Sequence, residues 1–280
     1  MKEKDTLVIG ANGKTGRRVV ERLRIMQVPI RLGSRSGMPP FDWTVPATWA
    51  TAIRDVRAVY ITYFPDLAAP GASTTIAAFA AVAMKAGVQR LVLLSGRGEA
   101  EAQHCEEIVQ ASGLETTILR ASWFAQNFSE NYLLESILAG EVVLPVGAVG
   151  EPFVDADDIA DVAVAALTED RHVGQLYELT GPRLWTFAEA VAEIARATGR
   201  EISYLQIPIA DYAEALRAAQ LEPGIVDLIT YLFTEVLDGR NASTTDGVQS
   251  ALGRRPRDFS DYVRATAETG IWQGKQRAAQ

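Results

Sequence analysis

Cysteine is almost missing from this sequence. Cys105 stands alone among 280 residues, so no disulfide can form within the chain, which suits a reducing compartment. Histidine is nearly as scarce, and two histidines with one cysteine leave no metal-ligand cluster by spacing. No apolar run reaches the roughly 20 residues that span a bilayer. The charged opening, Met1-Lys2-Glu3-Lys4-Asp5, runs straight into an apolar segment and lacks the form of a signal peptide. Positive charge is in deficit, with 27 Lys+Arg against 35 Asp+Glu for a net charge of −8, which disfavours a nucleic-acid surface. Together these absences predict a cytoplasmic protein acting on a small molecule, without direct nucleic-acid contact, membrane or metal. A homodimer is left open. The abundance of alanine and arginine hints at a GC-rich bacterial source.

What is present begins at the N-terminus. Leu7 to Ile9 reads as a buried strand and ends on Gly10-Ala11-Asn12-Gly13-Lys14-Thr15-Gly16, three glycines spaced three apart. Val19, Val20 and Leu23 then recur at helical spacing, with Arg17, Arg18, Glu21 and Arg22 on the polar side. Strand, glycine turn and helix are the setting of a dinucleotide-binding turn. The backbone must turn tightly and approach a pyrophosphate without a Cβ in the way. The helix opening near Thr15 presents free N–H groups and a positive dipole end. The spacing G-x-x-G-x-x-G differs from the G-x-G-x-x-G of the older dehydrogenases.

The rest of the first half repeats strand and helix. Strands are predicted at 29–33, 58–62, 90–94 and 116–120, with helices at 46–53, 74–86 and 101–112. Asp42 marks where a further strand of such folds begins, so the segments after Ile61, Leu94 and Arg120 count as following the fourth, fifth and sixth strands. This is the pattern of a doubly wound parallel α/β sheet. The second half is mixed: helices at 128–138, 156–167, 211–219, 223–237 and 260–269, and strands at 142–145, 177–180 and 202–207. Thr186 with Glu189 forms a capping box for a helix to Ala197. Residues 1–150 read as a Rossmann domain to which 151–180 return in part, and 181–280 as a smaller substrate-binding cap. Asp155, Asp157, Asp158 and Asp161 form an acidic group that capping and dipole effects at a helix start explain.

An NAD site places a carboxylate at the end of the second strand, about twenty residues past the glycines. Here that place holds Arg31, Gly33, Ser34 and Arg35, and no acid precedes Asp42. Arginine there pairs with a 2′-phosphate, so NADP(H) is favoured, with NAD(H) still admissible. Ligands of open α/β sheets lie beyond the carboxyl ends of the strands. Thr62, Tyr63 and Ser95 therefore join Gly10, Asn12, Gly13, Lys14, Thr15, Gly16, Ser34 and Arg35 as cofactor candidates. Tyr63, Trp123, Phe124 and Asn127 are the substrate candidates, with core packing a stronger rival explanation for Phe124 than for Trp123.

The chain resembles the NmrA-like branch of the atypical short-chain dehydrogenase/reductase superfamily. The resemblance rests on Gly10 to Gly16, Ser34-Arg35, Ser112-Gly113-Leu114 with Thr117 to Arg120, Trp123 to Phe128, Phe153 to Ala163, and Leu179 to Pro182. It implies a Rossmann domain, a small C-terminal substrate domain and a nicotinamide cofactor. Active members of the wider superfamily use a Tyr-x-x-x-Lys pair as proton donor and its activator. The corresponding window, Ser95 to Glu107, contains neither tyrosine nor lysine. Ser95 matches the family's strand-end serine or threonine, and His104 is the one imidazole in that window; these are the only catalytic candidates, with a solvated helix face the plainer reading of His104. Hydride transfer to a quinone or enone makes less use of such a pair. The sequence thus predicts an NAD(P)H-binding oxidoreductase acting on a small planar carbonyl, quinone or aromatic compound. The alternatives are a non-catalytic NADP(H)-sensing regulator, or a tailoring oxidoreductase or oxygenase of aromatic-polyketide biosynthesis.

Overall fold

The computed structural model describes residues 5–130 and 132–273. Strand β1 (Asp5–Ile9) enters the glycine turn and helix α1 (Lys14–Ile25) leaves it. Then follow β2 (Ile30–Gly33), α2 (Trp49–Ala52), β3 (Val56–Ile61), α3 (Ala72–Lys85), β4 (Arg90–Gly96), α4 (Ala100–Gln110) and β5 (Glu115–Ala121). The remaining elements are α5 (Leu133–Ala139), β6 (Glu141–Leu144), α6 (Ala156–Thr168), β7 (Leu176–Leu179), α7 (Phe187–Thr198), β8 (Ser203–Gln206), α8 (Ile209–Ala218), α9 (Pro223–Tyr231), α10 (Gly247–Leu252) and α11 (Phe259–Glu268).

Two compact units result. The first takes Met1–Ala121, Ala156–Leu179 and Asp246–Arg255; the second takes Ser122–Asp155, Thr180–Thr245 and Pro256–Gln280. The chain thus first crosses at Ser122, directly after β5, and not near residue 150. A stretch close to the C-terminus also returns to the first unit.

In the first unit six parallel strands lie in the order β2-β1-β3-β4-β5-β7. Parallel strands covered on both faces are apolar on both, as the near-continuous burial of β1, β3 and β4 shows. Alternate residues serve alternate faces. Leu7, Ile9, Val59, Ile61, Leu91 and Leu93 pack with Trp49, Ile76, Phe79 and Cys105 from α2, α3 and α4. Helices α1 and α6 lie against each other, joined by arginine–aspartate pairs. Arg18 and Arg22 reach Asp157 at 3.2 and 2.6 Å, and Arg254, beyond α10, reaches Asp158 at 2.7 Å. Asp161 also pairs with Arg22 and Arg254, so three of the four aspartates near the start of α6 are ion-pair partners, a stronger reason for them than capping alone. Asp155, in the second unit, accepts from the Gln126 amide at 2.8 Å.

The chain leaves β1 for β2 on one side and resumes at β3 on the other. That reversal makes a topological switch point at the carboxyl ends of β1 and β3, where open α/β sheets bind their ligands. No strand forms around Asp42. Its carboxylate accepts from the Thr44 N–H and hydroxyl at 2.9 and 2.8 Å, and its carbonyl accepts from the Trp49 indole at 2.8 Å, so the residue makes a turn. The loops assigned to fourth, fifth and sixth strands consequently follow β3, β4 and β5.

The second unit pairs β6 with β8 in parallel and packs helices around an aromatic core. Phe128, Phe153, Phe187 and Phe259 meet at centroid distances of 5.1–5.9 Å. The capping box is formed: Glu189 N–H donates to Thr186 Oγ1 at 3.1 Å and Thr186 N–H to the Glu189 carboxylate at 2.8 Å. The helix predicted over 128–138 is instead a 3₁₀ turn, Ala125–Phe128, followed by α5; Asn131 lies outside the described residues. The helix predicted over 223–237 stops as α9 at Tyr231 and widens into a π-type turn at Leu232–Val236.

Candidate cofactor site

The glycine turn is built by backbone. Gly10 adopts φ +69°, and its N–H donates to the Gly33 carbonyl at 2.9 Å, tying the turn to the end of β2. Gly13 N–H donates back to the Gly10 carbonyl at 2.8 Å. Gly16, in the first turn of α1, lies so close beneath that carbonyl that a Cβ would stand 2.1 Å from its oxygen. Gly13 serves as N-cap without a side-chain cap, and the first turn of α1 carries no acid. Leading N–H groups and an uncompensated dipole end therefore face outward past Asn12 and Gly13, both exposed, and half-buried Lys14. Thr15 and Gly16 are buried beneath them. A groove of about 400 Å³ opens beside Ala11 and Asn12 and runs past Arg17 and Leu32. This cradle of small residues and open donors fits a dinucleotide pyrophosphate.

At the end of β2 the arginines divide. Arg31 is committed to the fold: its guanidinium donates to the carbonyls of Ala52 and Arg54 at 2.8 and 2.7 Å and to Asp5 at 2.7 Å. Arg35 is exposed, with no such ion pair among the described residues. Asp42 is held below the usual carboxylate range by its bonds from Thr44, with a smaller contribution from the charge of Arg35. Ser34 closes the local turn, its carbonyl accepting from Gly37 and Phe41 N–H at 2.9 Å.

The loop after β3 is fixed by aromatic packing. The Trp43 indole donates to the Thr62 carbonyl at 2.9 Å, and its ring lies 5.1 Å from Tyr63 and 4.9 Å from Phe41. Thr62 Oγ1 donates to the Ile9 carbonyl at 3.0 Å. Thr62 and Tyr63 thus sit at the same switch point as Gly10.

Ser95 ends in a different setting from that of a free strand-end hydroxyl. It is buried in β4 and donates to Glu106 at 2.6 Å. Arg120 donates to the same carboxylate from β5 at 3.0 Å and to Glu178 on β7 at 2.9 Å, and Arg97 meets Glu178 at 3.4 Å. Bonding to Glu106 and Glu178 raises the Arg120 pKa above its ordinary value despite burial. Ser95 therefore belongs to an interior chain of charges. His104 points the other way, 57% exposed on α4 with Glu107 at 3.4 Å. Sequence reasoning missed this chain because its members come from β4, α4, β5 and β7. It also missed Glu99, whose carboxyl folds back over Gly96 at the end of β4. Among the described residues no group of three or more His, Cys, Asp or Glu side chains is placed to hold a metal ion.

In the second unit both aromatic candidates are half-buried, in different surroundings. Trp123 packs on the core, 5.6 Å from Phe187 and 5.3 Å from Phe233. Phe124 is half-buried and makes no ring contact among the described residues; its backbone bridges to Val154. Asn127 N–H donates to the Phe124 carbonyl at 3.0 Å.

No family model matches the chain. Nearly all of it aligns, however, with festuclavine dehydrogenase easG of Aspergillus fumigatus at 30% identity over 291 residues, 95% of this chain and 98% of that protein. The chain belongs to the NmrA-like branch of the atypical short-chain dehydrogenase/reductase superfamily, a family of NAD(P)H-dependent oxidoreductases. It is also 28% identical over 282 residues to an NAD(P)H azoreductase of Xenophilus azovorans, across 93% of this chain and 97% of that one. In fold it matches an Escherichia coli NADPH-dependent quinone oxidoreductase, solved with NADPH, with a TM-score of 0.77 and 21% identity over 93% of this chain and 99% of that one. Among the described residues no helix is long and apolar enough to cross a membrane.

Proposed function

We propose that this NmrA-like oxidoreductase uses NADP(H) in preference to NAD(H) to reduce small planar acceptors such as quinones and azo or related aromatic compounds, and that it works in the cytoplasm. The observation that carries the reading is the end of β2. Arg35 stands exposed there without an ion pair among the described residues, and no carboxylate occupies the place where an NAD site binds the ribose hydroxyls. The leading N–H groups of α1, with Asn12, Gly13 and Lys14, would hold the pyrophosphate. Ser34 and Arg35 would hold the 2′-phosphate, and Thr62 and Tyr63 would border the rest of the cofactor. When bound, the cofactor supplies a hydride from its nicotinamide ring.

Support for the acceptor class comes from the relatives, which include an azoreductase and a festuclavine dehydrogenase. It comes also from Phe124, an aromatic side chain not consumed by core packing. Acceptors that delocalise the incoming charge suit a site whose Ser95 to Glu107 window offers no tyrosine–lysine pair.

Tryptophan fluorescence titration with NADPH and NADH tests the cofactor, and NADPH consumption across a panel of quinones and azo compounds tests the reaction. Tighter binding of NADH overturns the cofactor assignment. Tight NADPH binding with no turnover of any acceptor makes the chain a sensor of the cofactor instead.

A further inference from the structure

Glu99 is 8% exposed, and one of its carboxylate oxygens, Oε2, is buried without any hydrogen-bond donor among the described residues. A buried oxygen of this kind is costly unless something supplies a proton. The group beside it is another carboxyl: Asp66, from the loop after β3, is in hydrogen-bonding contact with Glu99. Asp66 already accepts the Ala68 N–H at 2.8 Å, which favours its ionised form. The missing donor is then the proton of Glu99 itself, shared with Asp66. Two charged carboxylates in such a place would repel, so the pair holds one proton between them.

The surroundings agree. Glu106 of α4 adds negative charge on the same side, although Arg120 and Ser95 engage it, and Arg97 of the same turn is directed to Glu178. Glu101 is occupied with the Ser73 N–H. No cation is paired with Asp66 or Glu99 among the described residues. Burial first, and then the Asp66 charge, push Glu99 well above the ordinary carboxylate range.

The pair also lies past the carboxyl ends of the strands, the side on which open α/β sheets bind their ligands. Asp66 and Glu99 leave the carboxyl ends of β3 and β4, adjacent strands, and β3 borders the glycine-turn strand β1. The Glu99 carboxyl lies over Gly96 so closely that a Cβ there would be 2.1 Å from Oε1. Reduction of a quinone takes one hydride and one proton, and the Ser95 to Glu107 window offers no tyrosine to give the proton.

We propose that the Asp66–Glu99 pair is the proton source for the reduction, a role that rests on the reductase reading above. As the acceptor takes a hydride, with its electron pair, from NADPH, the Glu99 O–H bond breaks and an O–H bond forms on the acceptor oxygen. The products are the hydroquinone, the oxidised cofactor and an ionised pair. Asp66, the less buried partner, then returns a proton from water to the pair.

The test compares two acceptors. A quinone needs the proton; a cationic triarylmethane dye becomes neutral on taking hydride and needs none. Glu99→Gln should lower kcat for the quinone about a hundredfold or more and spare the dye. In wild type, quinone reduction should slow as pH rises through the titration of the pair, while dye reduction should not. Asp66→Asn should give the same split with a smaller quinone loss. Infrared titration of the cofactor-free protein supplies a readout without turnover: a protonated-carboxyl band at neutral pH, lost at alkaline pH and missing in Glu99→Gln. Equal slowing of both acceptors, equal sparing of both, or no such band overturns the proposal. A wild-type protein that reduces neither acceptor overturns the reductase reading and the proposal with it, whereas an active wild type with an equally active Glu99→Gln overturns the proposal alone.

Discussion

The Thr62 hydroxyl occupies the space that a side chain on Gly10 would require. Its Oγ1 donates to the Ile9 carbonyl at 3.0 Å and stands 2.1 Å from where a Gly10 Cβ would be. The glycine turn and the loop after β3 are thereby locked together at the switch point. Gly10→Ala meets two penalties, a positive φ and a steric clash, and should cost about 2–4 kcal/mol. In a Thr62→Ala background the clash goes and the φ penalty stays. Urea unfolding of the four proteins in this cycle should show coupling of about 1–3 kcal/mol; no coupling would mean the two loops are not in contact.

Ser95 and Arg120 share Glu106, but they do not matter equally. Ser95→Ala removes one neutral donor and should cost about 1–2 kcal/mol. Arg120→Met leaves a buried carboxylate without its main cation and should cost about 3–5 kcal/mol. Denaturation midpoints check the order. A larger loss for Ser95→Ala would indicate that its hydroxyl does more than satisfy Glu106.

Trp123 and Phe124 separate stability from recognition. Trp123→Ala opens a hole against Phe187 and Phe233 and should cost about 2–4 kcal/mol. Phe124→Ala should change stability little and raise KM for the aromatic acceptor. Thermal melts paired with steady-state kinetics would show the reverse pattern if Trp123 were the recognition residue.

Local signals made most of the fold legible. The capping box at Thr186 and Glu189, the apolar runs of β1, β3, β4 and β5, and the glycine turn all act within a few residues of chain. What stayed hidden depends on distant partners. Position 247, at the start of α10, requires glycine because the backbone there presses on the Glu178 carbonyl, where a Cβ would stand 2.0 Å away, and no local pattern announces that. The strand expected near Asp42 gave way to a turn that side-chain hydrogen bonds and a cluster of tryptophans stabilise. The Asp66–Glu99 pair exists only because parallel neighbours bring their loops together, and Ser95 meets Glu106 only because α4 folds back on β4. Trp123 and Phe124 are adjacent, and sequence alone does not say which one a core will take.

Asp258 gives the acid limb of stability. It caps α11 through the Ser260 N–H at 2.8 Å and pairs with Arg183 at 2.8 and 3.0 Å. Burial disfavours its charge, but these bonds prevail and hold its pKa at about 2. A depressed folded pKa contributes stability above the unfolded value of about 4 that is lost as pH falls toward 2. With Arg183 half exposed, the contribution is discounted to about 1–2 kcal/mol. Asp258→Asn should lose that amount at neutral pH and flatten the stability profile between about pH 4 and 2. An unchanged acid limb would place the pH dependence elsewhere.

Arg35 and Arg31 stand four residues apart and should answer to different measurements. Arg31 bridges β2 to the Ala52 and Arg54 carbonyls and to Asp5, so Arg31→Ala should lower stability and weaken both nicotinamide cofactors alike through a loosened β2. Arg35 has no ion pair to lose within the described residues, so Arg35→Ala should melt like wild type. A charge-assisted bond to a 2′-phosphate contributes about 1.5–3 kcal/mol, so its removal should weaken NADPH at least about tenfold. NADH has no phosphate at that position, and its affinity should hold. The ratio of the two dissociation constants, measured by fluorescence titration, is therefore the decisive quantity. If Arg35→Ala left that ratio unchanged, the phosphate would have to be met elsewhere along the groove, where Arg17 lies beside Asn12 and Leu32.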